Sequence, residues 1–253
     1  MRFVSDTWLV FRRSLGLSLR NPPWLIVGLI QPLVYLLLFA PILTNLTALP
    51  GFGASSAFNT FVPGLLVMTA GFGTMFVGFA FIDEMRNGVV ERMRVTPMNR
   101  TAAVIGRTLR DIVVFMVQGL MLVAVSVPFG LHVEPAGILL AMALLALIGL
   151  GLGPVSYAIA LKLRSEDALG PLVQAVALPL LLLSGVLLPM SLAPDWLQTI
   201  ATWNPLYHAV EAMRAAFNAQ FSDPAIVTGI VWMLALTVLS IAVAGRVFNR
   251  VTA

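Results

Sequence analysis

The sequence predicts an all-α membrane protein of six transmembrane helices, and three observations carry that prediction. Hydrophobic residues make up 59% of the chain and charged residues only 10%, against roughly 25% charged in an ordinary globular domain. Six apolar stretches, 24–43, 58–82, 112–129, 135–161, 168–189 and 224–245, are each close to or longer than the roughly 20 residues a helix needs to cross a hydrocarbon core of about 30 Å. Fourteen of the fifteen basic residues lie in segments that alternate crossing places on one side. Arg2, Arg12, Arg13 and Arg20 precede the first stretch, and Arg86, Arg92, Arg94, Arg100, Arg107 and Arg110 separate the second from the third. Lys162 and Arg164 follow the fourth, Arg246 and Arg250 follow the sixth, and Arg214 alone falls on the other side. By the positive-inside rule both termini are cytoplasmic. The expectation is a single transmembrane domain over 1–253, without a soluble domain or linker.

The same charges explain the isoelectric point near 10.3. They flank membrane spans, where anionic headgroups attract them, so no nucleic-acid partner is expected. Cysteine is absent, which removes disulfides, thiolate metal sites and cysteine nucleophiles from consideration. Fourteen arginines against one lysine fit a G+C-rich coding sequence, and a bacterial inner membrane is the expected location.

Along residues 1–21, Phe3, Val4, Trp8, Leu9, Phe11, Leu15 and Leu19 alternate with Arg12, Arg13, Arg20 and other polar residues at a roughly helical period. Such a segment lies on the cytoplasmic leaflet, either as a simple anchor or as a relay of motion. Asn21-Pro22-Pro23 ends it, because proline removes donors and restricts its predecessor. The first apolar run exceeds a usual signal core and lacks a convincing cleavage site, so a retained helix is expected. Pro32, Pro41, Pro63, Pro154 and Pro179 predict kinks, and Gly149, Gly151 and Gly153 weaken the fourth span. These are ordinary in membrane helices and argue packing more than transport. Between spans five and six, the outer segment 190–223 carries Trp196 and Trp203, with Asn204 placed to cap a helix beginning at Pro205. Two short re-entrant helices at the outer interface are expected there.

The spans read as free of ionisable residues in their interiors. That argues against a proton- or sodium-coupled transporter and against a charged-ring channel. Any transport must draw its energy from outside the bilayer. The one lysine, Lys162, lacks the glycines and Ser/Thr of a phosphate-binding loop. His132 and His208 stand apart from acids at metal-ligand spacing, so no metal site, no cofactor in the chain and no catalytic set are expected.

The segment 83–100 stands out. Acids and arginines alternate from Asp83 to Arg100, with Val89, Val90 and Met93 at helix-like spacing before Pro97. It forms either a charged knob beneath the membrane or a solvated positive-inside loop. Its residues Glu84, Gly88, Glu91, Arg92, Thr96, Pro97 and Arg100 resemble the loop after the second span in type-2 ABC exporter permeases, the daunorubicin-resistance and lipo-oligosaccharide-export group. A second match, Leu188-Pro189, Pro194, Trp196-Leu197, Asn204-Pro205, Tyr207 and Arg214, is similar to that family's outer segment and falls at the same place in the topology.

The resemblance implies a permease half that pairs with a second half, identical or homologous, and with two separate ABC ATPase subunits holding ATP and Mg. It implies that Glu84, Gly88, Glu91, Arg92, Thr96, Pro97 and Arg100 belong to the element coupling to the ATPase. The N-terminal helix with Arg12, Arg13 and Arg20 becomes the connecting helix beside it. Trp196, Asn204, Pro205 and Tyr207 belong to the outer segment. Met68, Phe72, Met75, Phe76 and Phe79 form one soft aromatic face on the second span. That face either lines an apolar pathway at the half-to-half interface, where the resemblance puts spans two and five, or packs helices and meets lipid. Gln174 and Ser184 are the few polar groups on the fifth span, so a hydrophobic or amphipathic substrate such as a drug, lipid or glycolipid is expected. The rival expectation is a non-transporting scaffold or sensor whose arginine loop docks a cytoplasmic partner.

Overall fold

Lipid offers no partner to a free peptide group, so helices satisfy their own backbones. A computed structural model of the chain describes residues 2–20, 22–46, 57–88, 100–187 and 189–252, and among these there are nine α-helices and no strand. They are α1 (Arg2–Leu19), α2 (Pro22–Leu46), α3 (Ala57–Arg86), α4 (Arg100–Ser126), α5 (Pro135–Leu163), α6 (Glu166–Leu182), α7 (Asp195–Ala201), α8 (Pro205–Phe217) and α9 (Pro224–Thr252). Among the described residues, α3, α4, α5 and α9 are long and apolar enough to cross a membrane, and α2 contributes the shorter apolar stretch Val27–Phe39.

Helix α3 is the axis of the bundle and packs against α2, α4, α5, α6 and α8. Its first half is buried on every side, with Phe61, Val62, Leu65, Leu66 and Val67 nearly inaccessible. Helix α9 packs on α5 and α8, and shows two faces. Met233, Thr237, Ser240 and Ala244 turn inward, while Val227, Val231, Leu234 and Val238 stay exposed at helical spacing. Lipid is as apolar as leucine, so shape and hydrogen bonds, rather than a hydrophobic drive, hold such helices together. Thr237 donates to Leu147 O across the α9–α5 contact at 3.3 Å.

Two expected boundaries are corrected. The third span is longer than 112–129: α4 begins at Arg100, and its apolar portion starts at Ala102. Arg107, Arg110 and Asp111 are therefore on α4 itself, in a stretch long and apolar enough to cross a membrane, rather than between helices. The helix in the fifth apolar stretch is shorter than 168–189, because α6 stops at Leu182 and the chain turns through Gly185 at φ +71°. Beyond the turn, the Val186 carbonyl sits against Gly64 of α3 where no Cβ would fit. Helices α3 and α5 continue through Pro63 and Pro154, each of which lacks the donor for one ladder bond, and α5 also runs through Gly149, Gly151 and Gly153.

Two short helices follow in the segment 190–223, and they differ in burial. Helix α7 is peripheral, with Trp196 exposed and Trp203 exposed just after it. Helix α8 is buried: Leu206, Ala209, Val210, Ala212, Met213 and Phe217 all pack between α3, α5 and α9. Its alanines permit that approach, and so does Gly229 of α9, whose added Cβ would lie 2.5 Å from Ala212 Cβ and 2.6 Å from His208 O.

Candidate functional site

The arginine-rich end of the bundle is organised by a buried ionic network that links four helices. Glu84, near the end of α3, accepts from Arg107 Nη2 of α4 at 2.6 Å. The Arg107 guanidinium also lies over the Phe81 ring, 4.9 Å from its centroid. Phe81 meets Tyr157 of α5 edge-on at 5.5 Å, and the Tyr157 hydroxyl donates to Asp111 of α4. The second Asp111 oxygen is 3.2 Å from Arg110 Nε. Arg110 Nη1 then reaches Ser18 Oγ of α1 at 3.2 Å.

Arg107 and Asp111 are almost wholly buried. A buried charge survives only when paired and hydrogen-bonded, and here each cation has a carboxylate beside it. The spacing of Arg107 and Asp111, four residues apart on one helix face, was the available signal. Averaged hydropathy hid it by starting the third apolar stretch at Ile112.

Helix α1 lies directly on α4. The contact centres on Gly106, where a Cβ would stand 2.7 Å from Thr7 O and 2.9 Å from Val10 Cβ. Arg12, Arg13 and Arg20 are exposed, as are Val4, Trp8 and Leu9. Gly106→Leu is expected to wedge this seam and cost about 1–3 kcal/mol. The check is a lower melting temperature in detergent, together with faster amide exchange along residues 3–18 than along α3.

The coupling residues divide around the network. Glu84 is pinned to α4, Gly88 closes the α3 end at φ +66° with its N–H on Met85 O, and Arg100 opens α4. Glu91, Arg92, Thr96 and Pro97 lie outside the described residues.

On α3, Met68 is buried, Phe72, Met75 and Phe79 are half-buried, and Phe76 is exposed. Phe76 stacks on Phe79 at 5.5 Å and tilts against Phe72 at 6.3 Å. The Ser156 hydroxyl of α5 fixes the backbone behind this stripe, donating to Met75 O at 2.8 Å and accepting from Gly78 N–H at 3.1 Å. Gln174 on α6 is exposed, whereas Ser184 is buried and donates to Leu181 O at 2.6 Å. The structure therefore separates these two polar groups.

At the opposite end, neutral polar groups and one cation lock the bundle. Asn204 Oδ1 accepts the Leu206 N–H at 3.0 Å, capping α8 behind Pro205, and its Nδ2 donates to Leu180 O at 2.6 Å. Arg214 donates to Thr60 O at 3.0 Å, to Gly185 O at 2.7 Å and to Glu211 at 2.6 Å. Burial pushes its guanidinium below the ordinary value, while the Glu211 carboxylate pulls it back up. Tyr207 is half-buried, and burial followed by Glu211 pushes its phenol up. Its neighbour His208 stacks on Trp232 at 5.0 Å.

Comparison with known proteins gives this arrangement its context. The ycf38 transport permease of Cyanophora paradoxa is 27% identical over 85% of this chain and 75% of its own length. The daunorubicin resistance ABC transporter permease protein DrrB1 of Streptomyces coeruleorubidus is 25% identical over 83% of this chain and 74% of its own. A probable doxorubicin resistance ABC transporter permease protein, DrrC of Mycobacterium tuberculosis, is 24% identical over 84% and 76%. The family model of the ABC-2 type transporter matches residues 5–218, most of the helical bundle described above, and the chain is a member of that family.

Proposed function

We propose that this chain is the membrane-spanning half of an ATP-driven exporter of hydrophobic or amphipathic compounds such as drugs, lipids or glycolipids. In this reading the 1–253 domain crosses a bacterial inner membrane six times, with α2 and α6 as the additional crossings and both termini in the cytoplasm. A second half, identical or homologous, completes the pathway. Two separate ABC ATPase subunits, holding ATP and Mg, supply the energy.

The observation that carries the reading is the ionic network at the arginine-rich end. It joins α1, α3, α4 and α5 around the two helix ends that flank residues 89–99. A push on that segment reaches the bundle through paired charges and close packing, which have discrete rather than continuous arrangements. Glu91, Arg92, Thr96 and Pro97 take the coupling role, with Glu84, Gly88 and Arg100 as its flanks. Arg12, Arg13 and Arg20 of α1 hold the connecting helix at the headgroups. Met68, Phe72, Met75, Phe76 and Phe79 face the substrate route, with Gln174 at its margin.

The expected result is that Glu91→Ala or Arg92→Ala abolishes ATP-dependent efflux and the stimulation of the ATPase partner, while membrane insertion and melting temperature stay unchanged. Transport assays in vesicles containing both subunits read the first effect. Normal efflux by either variant removes the coupling assignment.

A further inference from the structure

Helix α6 is joined to the bundle along one narrow face. Its buried residues, Leu169, Val173, Ala177 and Leu181, recur at every fourth position, while Leu172, Gln174, Val176 and Leu178 stay exposed. The buried face lies on α3. Leu169 and Leu181 fit against two glycines there, since a Cβ on Gly78 would stand 3.0 Å from Leu169 Cδ2 and one on Gly71 3.0 Å from Leu181 Cδ2. This seam runs beside the Phe/Met stripe of α3. The Phe79 ring is 3.7 Å from where a Cβ on Gly170 would lie, and Phe72, Met75 and Phe79 pack against the buried group that includes Leu169, Val173 and Ala177.

The two ends of α6 are fastened unequally. Away from the arginines, Asn204 Nδ2 donates to Leu180 O at 2.6 Å, and just past the helix Arg214 Nη2 donates to Gly185 O at 2.7 Å. Both donors are buried, so water does not compete for these bonds. At the arginine-rich end, one ion pair among the described residues ties α6 to α3, Arg86 Nη1 with Glu166 Oε1 at 3.0 Å. Its side chains are 58% and 37% exposed, which makes the pair weak and open to screening by salt. Ser165, at the N-cap of α6, makes no capping bond with its side chain. The two-residue link Arg164-Ser165 keeps this end beside α5, so α6 swings around the end of α5 and cannot leave the bundle.

We infer that α6 is a lid on the Phe/Met stripe, hinged by Asn204 and Arg214 at one end and latched by Arg86 and Glu166 at the other. Breaking the latch lifts Leu169 out of its contact with Gly78 and uncovers the side of the stripe that α6 shields. An exposed pair suits a latch because it opens at little cost, whereas the buried bonds hold the pivot. The motion stands on these contacts, and its use in admitting substrate rests on the route proposed above.

The test is the distance between nitroxide labels, read by electron paramagnetic resonance on the full chain in phosphatidylcholine nanodiscs and diluted with unlabelled chain. The chain has no cysteine, so labels go only where cysteine is introduced. Asp83→Cys with Asp167→Cys reads the latched end, and Leu182→Cys with Trp203→Cys reads the hinge, all four at exposed positions. Arg86→Gln and Glu166→Gln are each expected to raise the ratio of long to short distances at the latched end by up to about fivefold, the shift that an exposed pair's strength allows. The hinge distances are expected to stay unchanged. Salt at about 1 M is expected to shift the unsubstituted latch in the same direction and to leave both variants where they are. Unchanged latch distances in the two variants, an equal salt response with and without the pair, or equal broadening at the hinge overturns the inference. Normal efflux by Phe76→Ser removes the substrate route without touching these distances, so the two readings fail separately.

Discussion

Arg214→Leu is expected to lower the stability of the folded chain by roughly 3–5 kcal/mol, the cost of breaking a buried charged pair from one side. The substitution strips a donor from Thr60 O, Gly185 O and Glu211 together. The two carbonyls belong to different helical elements, the start of α3 and the turn after α6, so one side chain closes the seam between them. Arg214→Lys should recover only part of the loss, because an ammonium cannot span the three directions that the planar guanidinium serves. Melting temperature in detergent measures both variants. Wild-type stability in Arg214→Leu would show that the buried helix α8 is held by shape alone.

Asp111→Leu is the second large effect, again of roughly 3–5 kcal/mol, since it leaves Arg110 beside an apolar group and the Tyr157 hydroxyl without its acceptor. Removing the charges together is milder: Arg110→Leu/Asp111→Leu should be more stable than Asp111→Leu alone, as replacing both partners of a buried pair is often close to neutral. The double variant then separates folding from function. It is expected to fold, insert and still lose most ATP-dependent efflux, because its link from α4 to Ser18 of α1 is gone. If the double variant transports normally, the network serves stability and does not carry motion.

The helices were legible because long apolar runs and alternating charge leave little choice in a membrane, and the motif residues around 84–100 and 188–214 pointed to the family. Window hydropathy, however, treats each charge as a boundary marker. It therefore cut the third span at Ile112, although Arg107 and Asp111 lie one turn apart on the same buried face of α4. The length of α6 was overread for the complementary reason: Leu183, Val186 and Leu187 are apolar, but Ser184-Gly185 is a turn signal that hydropathy does not register. The Asn204-Pro205 cap marked where α8 begins but not its burial between α3, α5 and α9. Its alanines at 209, 212, 215 and 216 were the better guide, since small residues mark the faces that membrane helices press together. Whether Gln174 and Ser184 share a face depended on where α6 ends, and periodicity alone does not fix that.

The two ends of the bundle are fastened with different chemistry. Carboxylates pair with arginines at one end, whereas at the other Asn59, Asn204 and two of the three Arg214 bonds rest on main-chain carbonyls. Amides and carbonyls neither gain nor lose protons in any medium a cell meets, and a guanidinium stays charged throughout. The end fastened by Asn59, Asn204 and Arg214 therefore feels acidity chiefly through Glu211, whereas the other carboxylate–arginine pairs are gathered at the arginine-rich end.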